Sequence, residues 1–282
     1  LVPIIHLDFV SGHEHNIAPK FIMSIPYYQV DAFTGSLFSG NPAGVAILAD
    51  WLADEVLQSI AAENGLAETA FVVPRGASFD LRWFTPEIEV DLCGHATLAA
   101  AHVLFTHLGY RSVTVEFQTR SGLLPVTRSE ALLTLDFPSR PAVACEAPIE
   151  LAEGLGAKPV EVYKSRDYLA VFEKESDVRN LQPKMNVLAR LPCLGIIATA
   201  PGTACDFVSR FFAPAAGVPE DPVTGSAHCT LIPYWAKRLK RSPLQALQVS
   251  KRGGELFCAE RGDRVGISGR AVTYSTGFLH VD

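Results

Sequence analysis

The stretch Gly94-His95-Ala96-Thr97-Leu98-Ala99-Ala100-Ala101-His102-Val103-Leu104-Phe105-Thr106-His107 is apolar on nearly every helical face, and its reading decides the fold. A helix of that kind is buried all round. Gly109, just beyond it, is a natural C′ residue. The alanines at 99, 100 and 101 would let surrounding strands approach closely. Short runs rich in β-branched and aromatic residues flank it: Tyr27 to Phe33, Ala43 to Leu48, Thr69 to Val73, Asp80 to Phe84, Val113 to Gln118 and Leu132 to Phe137. A strand-rich half with one wholly buried helix predicts a sheet wrapped around that helix. Alternating strand-helix units would predict a parallel α/β sheet instead.

The second half repeats the pattern. Arg82-Trp83-Phe84-Thr85-Pro86 matches Arg210-Phe211-Phe212-Ala213-Pro214, and each is followed by an acidic loop and a glycine that opens a helix. The Arg-to-Gly offset is 12 residues from Arg82 to Gly94 and 15 from Arg210 to Gly225. The second helix is read over about 225–239. Further strands are read at Tyr168 to Phe172, Gly195 to Ala200, Asp206 to Phe212, Leu247 to Ser250 and Arg264 to Ser268. Shared order at near-equal spacing points to duplication. The expected fold is α+β, with two similar domains, each a β-barrel-like sheet wrapped around a central helix. The domains are read as 23–138 and 139–282, with a terminal strand able to pack on the other domain. Residues 1–22 lack a signal-peptide pattern and are read as a non-native or disordered extension ahead of Met23. His6, His13 and His15 in that segment have metal-ligand character but no helix to space them.

Composition narrows the function. Hydrophobic residues make up 48% and charged residues 19% of the 282 residues, enough for a sizeable core. The net charge of −6 gives no general attraction to nucleic acid or anionic membrane. No run of about 18 apolar residues suggests a membrane span. The six cysteines, at 93, 145, 193, 205, 229 and 258, show no CxxC spacing, so neither a disulfide framework nor a structural zinc site is expected. These features read as a cytoplasmic protein. Dinucleotide, P-loop, zincin and serine-hydrolase motifs are missing, and no cofactor or metal is expected.

The chemistry concentrates at the two helix starts. The first N–H groups of a helix have no internal partner and carry its positive pole. Two such starts at Gly94 and Gly225 facing one cleft, with Ser226 beside the second, would bind a carboxylate; taken singly, each glycine also reads as an ordinary turn. Asp91, Cys93 and His95 flank the first start; Glu220, Asp221, Ser226 and His228 flank the second. Asp221 precedes Pro222 and lies several residues before Gly225, so simple capping accounts for it poorly. Glu68 stands between a helix end and an apolar strand, a costly place for a carboxylate unless it is used or paired. Two readings of it are open: a general acid/base, or a strand-end glutamate in solvent. Cys93 is a candidate nucleophile or carbon base, but no matching cysteine exists in the second copy, where Asp221 stands near the equivalent place.

Four segments together resemble the phenazine-biosynthesis PhzF-like family of the diaminopimelate-epimerase-like superfamily. They are VDAFTGSLFSGNPAGVAIL at 30–48, GLAETAFV at 65–72, LRWFTPEIEVDLCGHATLAA at 81–100 and FFAPAAGVPEDPVTGSAHCTLIPYW at 211–235. The resemblance implies two barrels with the site between them, a homodimer and no cofactor. It implies Glu68 as general acid/base, His95 and Asp221 as its catalytic companions, and Gly94, Gly225 and Ser226 as carboxylate-binding elements. The expected activity is a proton-shifting isomerase acting on a small carboxylate, with a dihydro-hydroxyanthranilate as one candidate substrate. Two alternatives stand beside it: a two-base epimerase using Cys93 and Asp221, and a non-catalytic small-acid binding protein.

Overall fold

The computed structural model describes residues 23–282. The histidines at 6, 13 and 15 and the expected extension lie outside the described residues.

The first half contributes β1 (Met23–Ala32), β2 (Asn41–Ile47), β3 (Glu68–Arg75), β4 (Ser78–Phe84), β5 (Glu89–Val90), β6 (Thr114–Thr119), β7 (Gly122–Ser129) and β8 (Leu132–Pro138). The second contributes β9 (Val143–Ala144), β10 (Glu161–Lys164), β11 (Tyr168–Val171), β12 (Ile196–Pro201), β13 (Phe207–Ala213), β14 (Val218–Asp221), β15 (Leu244–Gln248), β16 (Gly254–Arg261), β17 (Arg264–Gly269) and β18 (Ala271–Val281). Among the described residues six α-helices join them: α1 (Asp54–Asn64), α2 (Gly94–Thr106), α3 (Ile149–Leu155), α4 (Glu175–Arg179), α5 (Met185–Leu188) and α6 (Gly225–Leu239).

Pairing makes the duplication explicit. β1–β2 is antiparallel, β2–β3 parallel, β3–β4 and β4–β5 antiparallel, β4–β6 parallel, and β6–β7 and β7–β8 antiparallel. The same senses recur in order from β10 to β17. The halves join where their last strands pair, β8 on β17 antiparallel. The chain then crosses over twice. β9 leaves β8 and pairs with β10, while β18 leaves β17 and pairs with β1 along its length.

Each half wraps one central helix, as the pattern at 94–107 predicts. α2 packs against β1, β2, β3, β8 and β18. Ala96, Ala99, Ala100 and Ala101 are fully buried, and their small side chains let the strands close on the helix. α6 is the counterpart, packed against β16, β17 and the start of α2. Its Trp235 stacks on Phe207 of β13 at 5.6 Å and donates its indole N–H to Thr199 Oγ1 of β12 at 3.0 Å. One hydrophobic cluster runs through both helices and both sheets. Among the described residues, no helix is long and apolar enough to cross a membrane.

The repeated arginines do the same structural task twice. Arg82 grips Glu89 with paired bonds of 2.7 and 2.7 Å, and Arg210 grips Glu220 with bonds of 2.7 and 2.9 Å. Each guanidinium also covers the aromatic two residues on along its strand, Phe84 at 5.1 Å and Phe212 at 4.9 Å. These bidentate pairs pin the loop that leads into each central helix. The longer offset in the second copy is taken up by a 3-10 turn over Pro214–Ala216 that ends at left-handed Gly217.

The tight fit around α2 makes a clear prediction. Ala100→Leu forces extra volume into a closed shell and is expected to cost about 1–3 kcal/mol of unfolding free energy in urea. Leu108→Lys, at an exposed position just past the helix, is expected to stay within about 0.5 kcal/mol of wild type.

Candidate active site

The two central helices meet start to start. A Cβ placed on Gly94 would lie 3.6 Å from Gly225 Cα and 3.3 Å from the Phe137 ring, so a side chain there would press on Phe137 and fill the space between the two backbones. Neither helix start is capped by the side chain of its N-cap residue, Cys93 in one case and Thr224 in the other. Two positive helix poles therefore face the same space with uncapped N–H groups, which favours an anion between them.

That space is a cleft lined by Glu68, Cys93, Gly94 and His95 from the first half and by Asp221, Thr224, Gly225 and Ser226 from the second. All six residues expected from the sequence to form the site thus line one pocket. Phe137, Leu194 and Phe211 supply apolar walls, and Arg140 adds a cation.

Glu68 begins β3, and its carboxyl is one-fifth exposed, at the cleft rather than in open solvent. Its Oε2 lies 3.1 Å from His95 Nε2, close enough for an ion pair. The ring N–H is not aligned on it as a hydrogen bond. Such contacts in an unliganded site commonly tighten when substrate enters. Burial alone would push the His95 pKa down. Cys93 and the Glu68 carboxylate beside the ring pull it up instead.

Asn41, which sequence reasoning passed over, links the two halves of the site. Its Nδ2 donates to Asp221 Oδ1 at 2.8 Å and to Val223 O at 2.9 Å, and lies 3.2 Å from His95 Nδ1. When the ring is neutral, Nδ1 faces this amide N–H2 group as an acceptor. The ring proton then sits on Nε2, facing Glu68. Asn41 owes its place to Gly40, which has a φ of +69° and stands where any Cβ would collide with Ala32 O. Arg252 from the second half clamps the same loop through Asp31 at 2.8 Å and Gly40 O at 2.9 Å. The sequence signal was the Gly40-Asn41 pair opening an otherwise apolar strand.

Asp221 accepts a second bond from Thr224 Oγ1 at 2.5 Å. Burial pushes its carboxyl up to about 6; His95, Thr224 and Asn41 pull the other way without cancelling the shift. The buried Gln248 amide holds this turn. Its Nε2 donates to Asp221 O at 2.8 Å, and its Oε1 accepts the Thr224 N–H at 2.8 Å.

Of the remaining candidates, Asp91, Glu220 and His228 separate from the site, and Cys93 stays in it. Asp91 is exposed, and Glu220 is taken by Arg210. His228 is fully buried beside Phe207, donates Nδ1–H to Thr224 O at 2.8 Å, and is pushed down to about 4 by burial. Cys93 Sγ lies 3.5 Å from His95 Nδ1, and burial raises the thiol pKa, which keeps it protonated. Glu68, Cys93 and His95 present one donor atom each within 4.8 Å of one another, a set that suits a soft divalent cation only if the thiol proton is displaced.

A family model described as "Phenazine biosynthesis-like protein" matches residues 30–277. The chain belongs to this family. It is 54% identical over 260 residues to an uncharacterized isomerase of Pseudomonas aeruginosa, covering 92% of this chain and 100% of that one. It is 45% identical over 258 residues to an uncharacterized isomerase of Halalkalibacterium halodurans, covering 89% of this chain and 97% of that one. The crystal structure of a PhzF-family phenazine biosynthesis protein from Enterococcus faecalis superposes with a TM-score of 0.90 at 47% identity, covering 92% of this chain and 100% of that one.

The raised Asp221 pKa carries a stability consequence. The folded state holds this proton more tightly than the unfolded chain, so the group costs nothing at low pH and an increasing amount as pH rises to about 6. Asp221→Asn is therefore expected to stabilise the protein at pH 8 by up to about 3 kcal/mol and to give little gain at pH 4. Thermal midpoints at the two pH values check this. A lower midpoint at both would mean that the Asn41 and Thr224 donors outweigh burial.

Proposed function

We propose that the protein is a cofactor-independent isomerase that moves a proton on a small carboxylate substrate. The observation that carries this reading is the convergence of the Glu68 carboxyl, the His95 ring and the Asp221 carboxyl on one cleft between two uncapped helix starts. The isomerase names of the relatives support it.

The substrate carboxylate sits at the Gly94 and Gly225 starts, beside the Ser226 hydroxyl. Glu68 takes a proton from the carbon next to the activating group, and the electron pair moves into the conjugated carboxylate. The helix-start N–H groups stabilise that charge without having to reorganise. The proton returns at a different carbon from Glu68, or from Asp221, which at a pKa of about 6 is partly protonated near neutral pH. His95 faces Glu68 and, through Asn41, connects it to Asp221. A dihydro-hydroxyanthranilate fits this scheme as a conjugated carboxylate.

The two-base epimerase alternative needs Cys93 as a thiolate. Burial disfavours that form, and the second copy offers no thiol partner. A binding protein without chemistry would have no use for three titratable groups held together at such cost.

Exchange of substrate C–H for solvent deuterium tests the proposal by mass spectrometry. Wild type is expected to label a conjugated small carboxylate, and Glu68→Gln is expected to lose at least about 100-fold in exchange rate. Cys93→Ser is expected to keep most of the activity. Exchange by Glu68→Gln at the wild-type rate defeats the scheme, and loss of exchange in Cys93→Ser alone moves the case to the epimerase.

A further inference from the structure

Arg140 has no role in the proton shift described above, and its surroundings call for one. It follows β8, where the chain passes from the first half to the second. Its side chain lines the cleft. Among the described residues it makes no ion pair, and its Nη1 is buried without a hydrogen-bond partner. Arg166, a cation that reaches Ser226 of the cleft, differs: it pairs with Asp167 at 3.0 Å and donates to Ser226 Oγ at 3.1 Å. Both guanidiniums act on the Cys229 thiol of α6. A buried guanidinium nitrogen without a partner is unfavourable, and a carboxylate matches its fork geometry.

The backbone of Arg140 has its own anchor. Pro233 stands inside α6 and has no N–H for the carbonyl four residues back, which is Cys229 O. The Arg140 N–H takes that carbonyl at 2.8 Å. This fixes the Arg140 backbone beside Cys229, four residues or about 6 Å along α6 from the Gly225 start. The cleft therefore presents the unpaired Arg140 guanidinium in addition to the paired helix starts, beside the apolar rings of Phe137 and Phe211.

We infer that Arg140 receives a second acidic group of the substrate, so that the cleft selects dicarboxylates over monocarboxylates. The inference rests on the carboxylate-binding part of the proposed function and adds a substrate class to it. One carboxylate sits at the helix starts, where charge develops during the proton shift. The other is gripped by Arg140, away from the reacting carbon, and sets position and specificity.

Glutarate and pentanoate test this directly, since they differ only in the terminal carboxylate. In calorimetric titrations, wild type is expected to bind glutarate at least about 10-fold tighter than pentanoate. Arg140→Gln is expected to abolish the preference while changing pentanoate affinity by less than about 2-fold, and Arg140→Lys to restore part of it as a point charge. Thermal midpoints of both variants establish that they are folded. Equal affinity for the two acids in wild type, no glutarate binding at millimolar concentration, or equal weakening of both acids in Arg140→Gln overturns the inference. Binding is read without turnover. A wild type that prefers glutarate yet exchanges no deuterium keeps this inference and removes the isomerase reading.

Discussion

Two α-helices that point their N-termini at each other, glycine backbone to glycine backbone, set up everything else in this molecule. Like poles in contact repel, and their N–H groups are left unsatisfied unless an anion or water comes between them. The fold accepts this cost because each helix is locked inside its own sheet. α2 is encased by β1, β2, β3, β8 and β18, and α6 is tied to its barrel through Trp235. Neither can draw back without opening the core that both share. An anion entering between them would relieve the repulsion.

Duplication explains how such an opposition arises. The same order of strand senses occurs twice, and the last strands of the two copies pair on each other as β8 and β17. Any feature at the start of one central helix is thereby brought opposite its counterpart. Arg82 with Glu89 and Arg210 with Glu220 stiffen the two approach loops alike. The crossing of β18 onto β1 and of β9 onto β10 ties each copy to the other's chain end.

Within this symmetric frame the chemistry is one-sided. Phe84 of β4 faces Thr69, and the equivalent Phe212 of β13 faces Ile196. The residue before Thr69 is Glu68, while the residue before Ile196 is Gly195. A Cβ at Gly195 would collide with the Phe211 ring, so the second copy has no room for a matching carboxyl. It contributes Asp221 from the approach loop instead, wired through Asn41 to the histidine of the first copy. The sheets supply the repeat, and single side chains break it to place titratable groups in different environments.

Much of this was legible in the linear chain. The all-apolar face of residues 94–107 required a helix inside a sheet, and the repeated Arg-aromatic-aromatic-x-Pro run marked the two copies. Glu68, His95 and Asp221 stood out because carboxylates and imidazoles beside buried segments need a reason to be there. Strands with weaker alternation escaped notice: β7 carries Pro125, β16 opens at Gly254, and β18 is largely exposed and polar. β15 begins at Leu244, earlier than the apolar run at 247–250 suggested, because Pro243 ends the preceding loop and strand pairing with β16 extends the element. Asn41, Gln248 and Arg140 belong to a different category. An amide or a guanidinium looks the same in sequence whether it faces water or a buried site, and Asn41 and Gln248 meet their partners across large separations along the chain. The sequence by itself determined which segments must be buried and which groups are titratable, since hydrophobicity and ionisation are properties of each residue. Only the tertiary structure decided which polar groups face one another, because that depends on how two sheets, far apart in the chain, close on the same cleft.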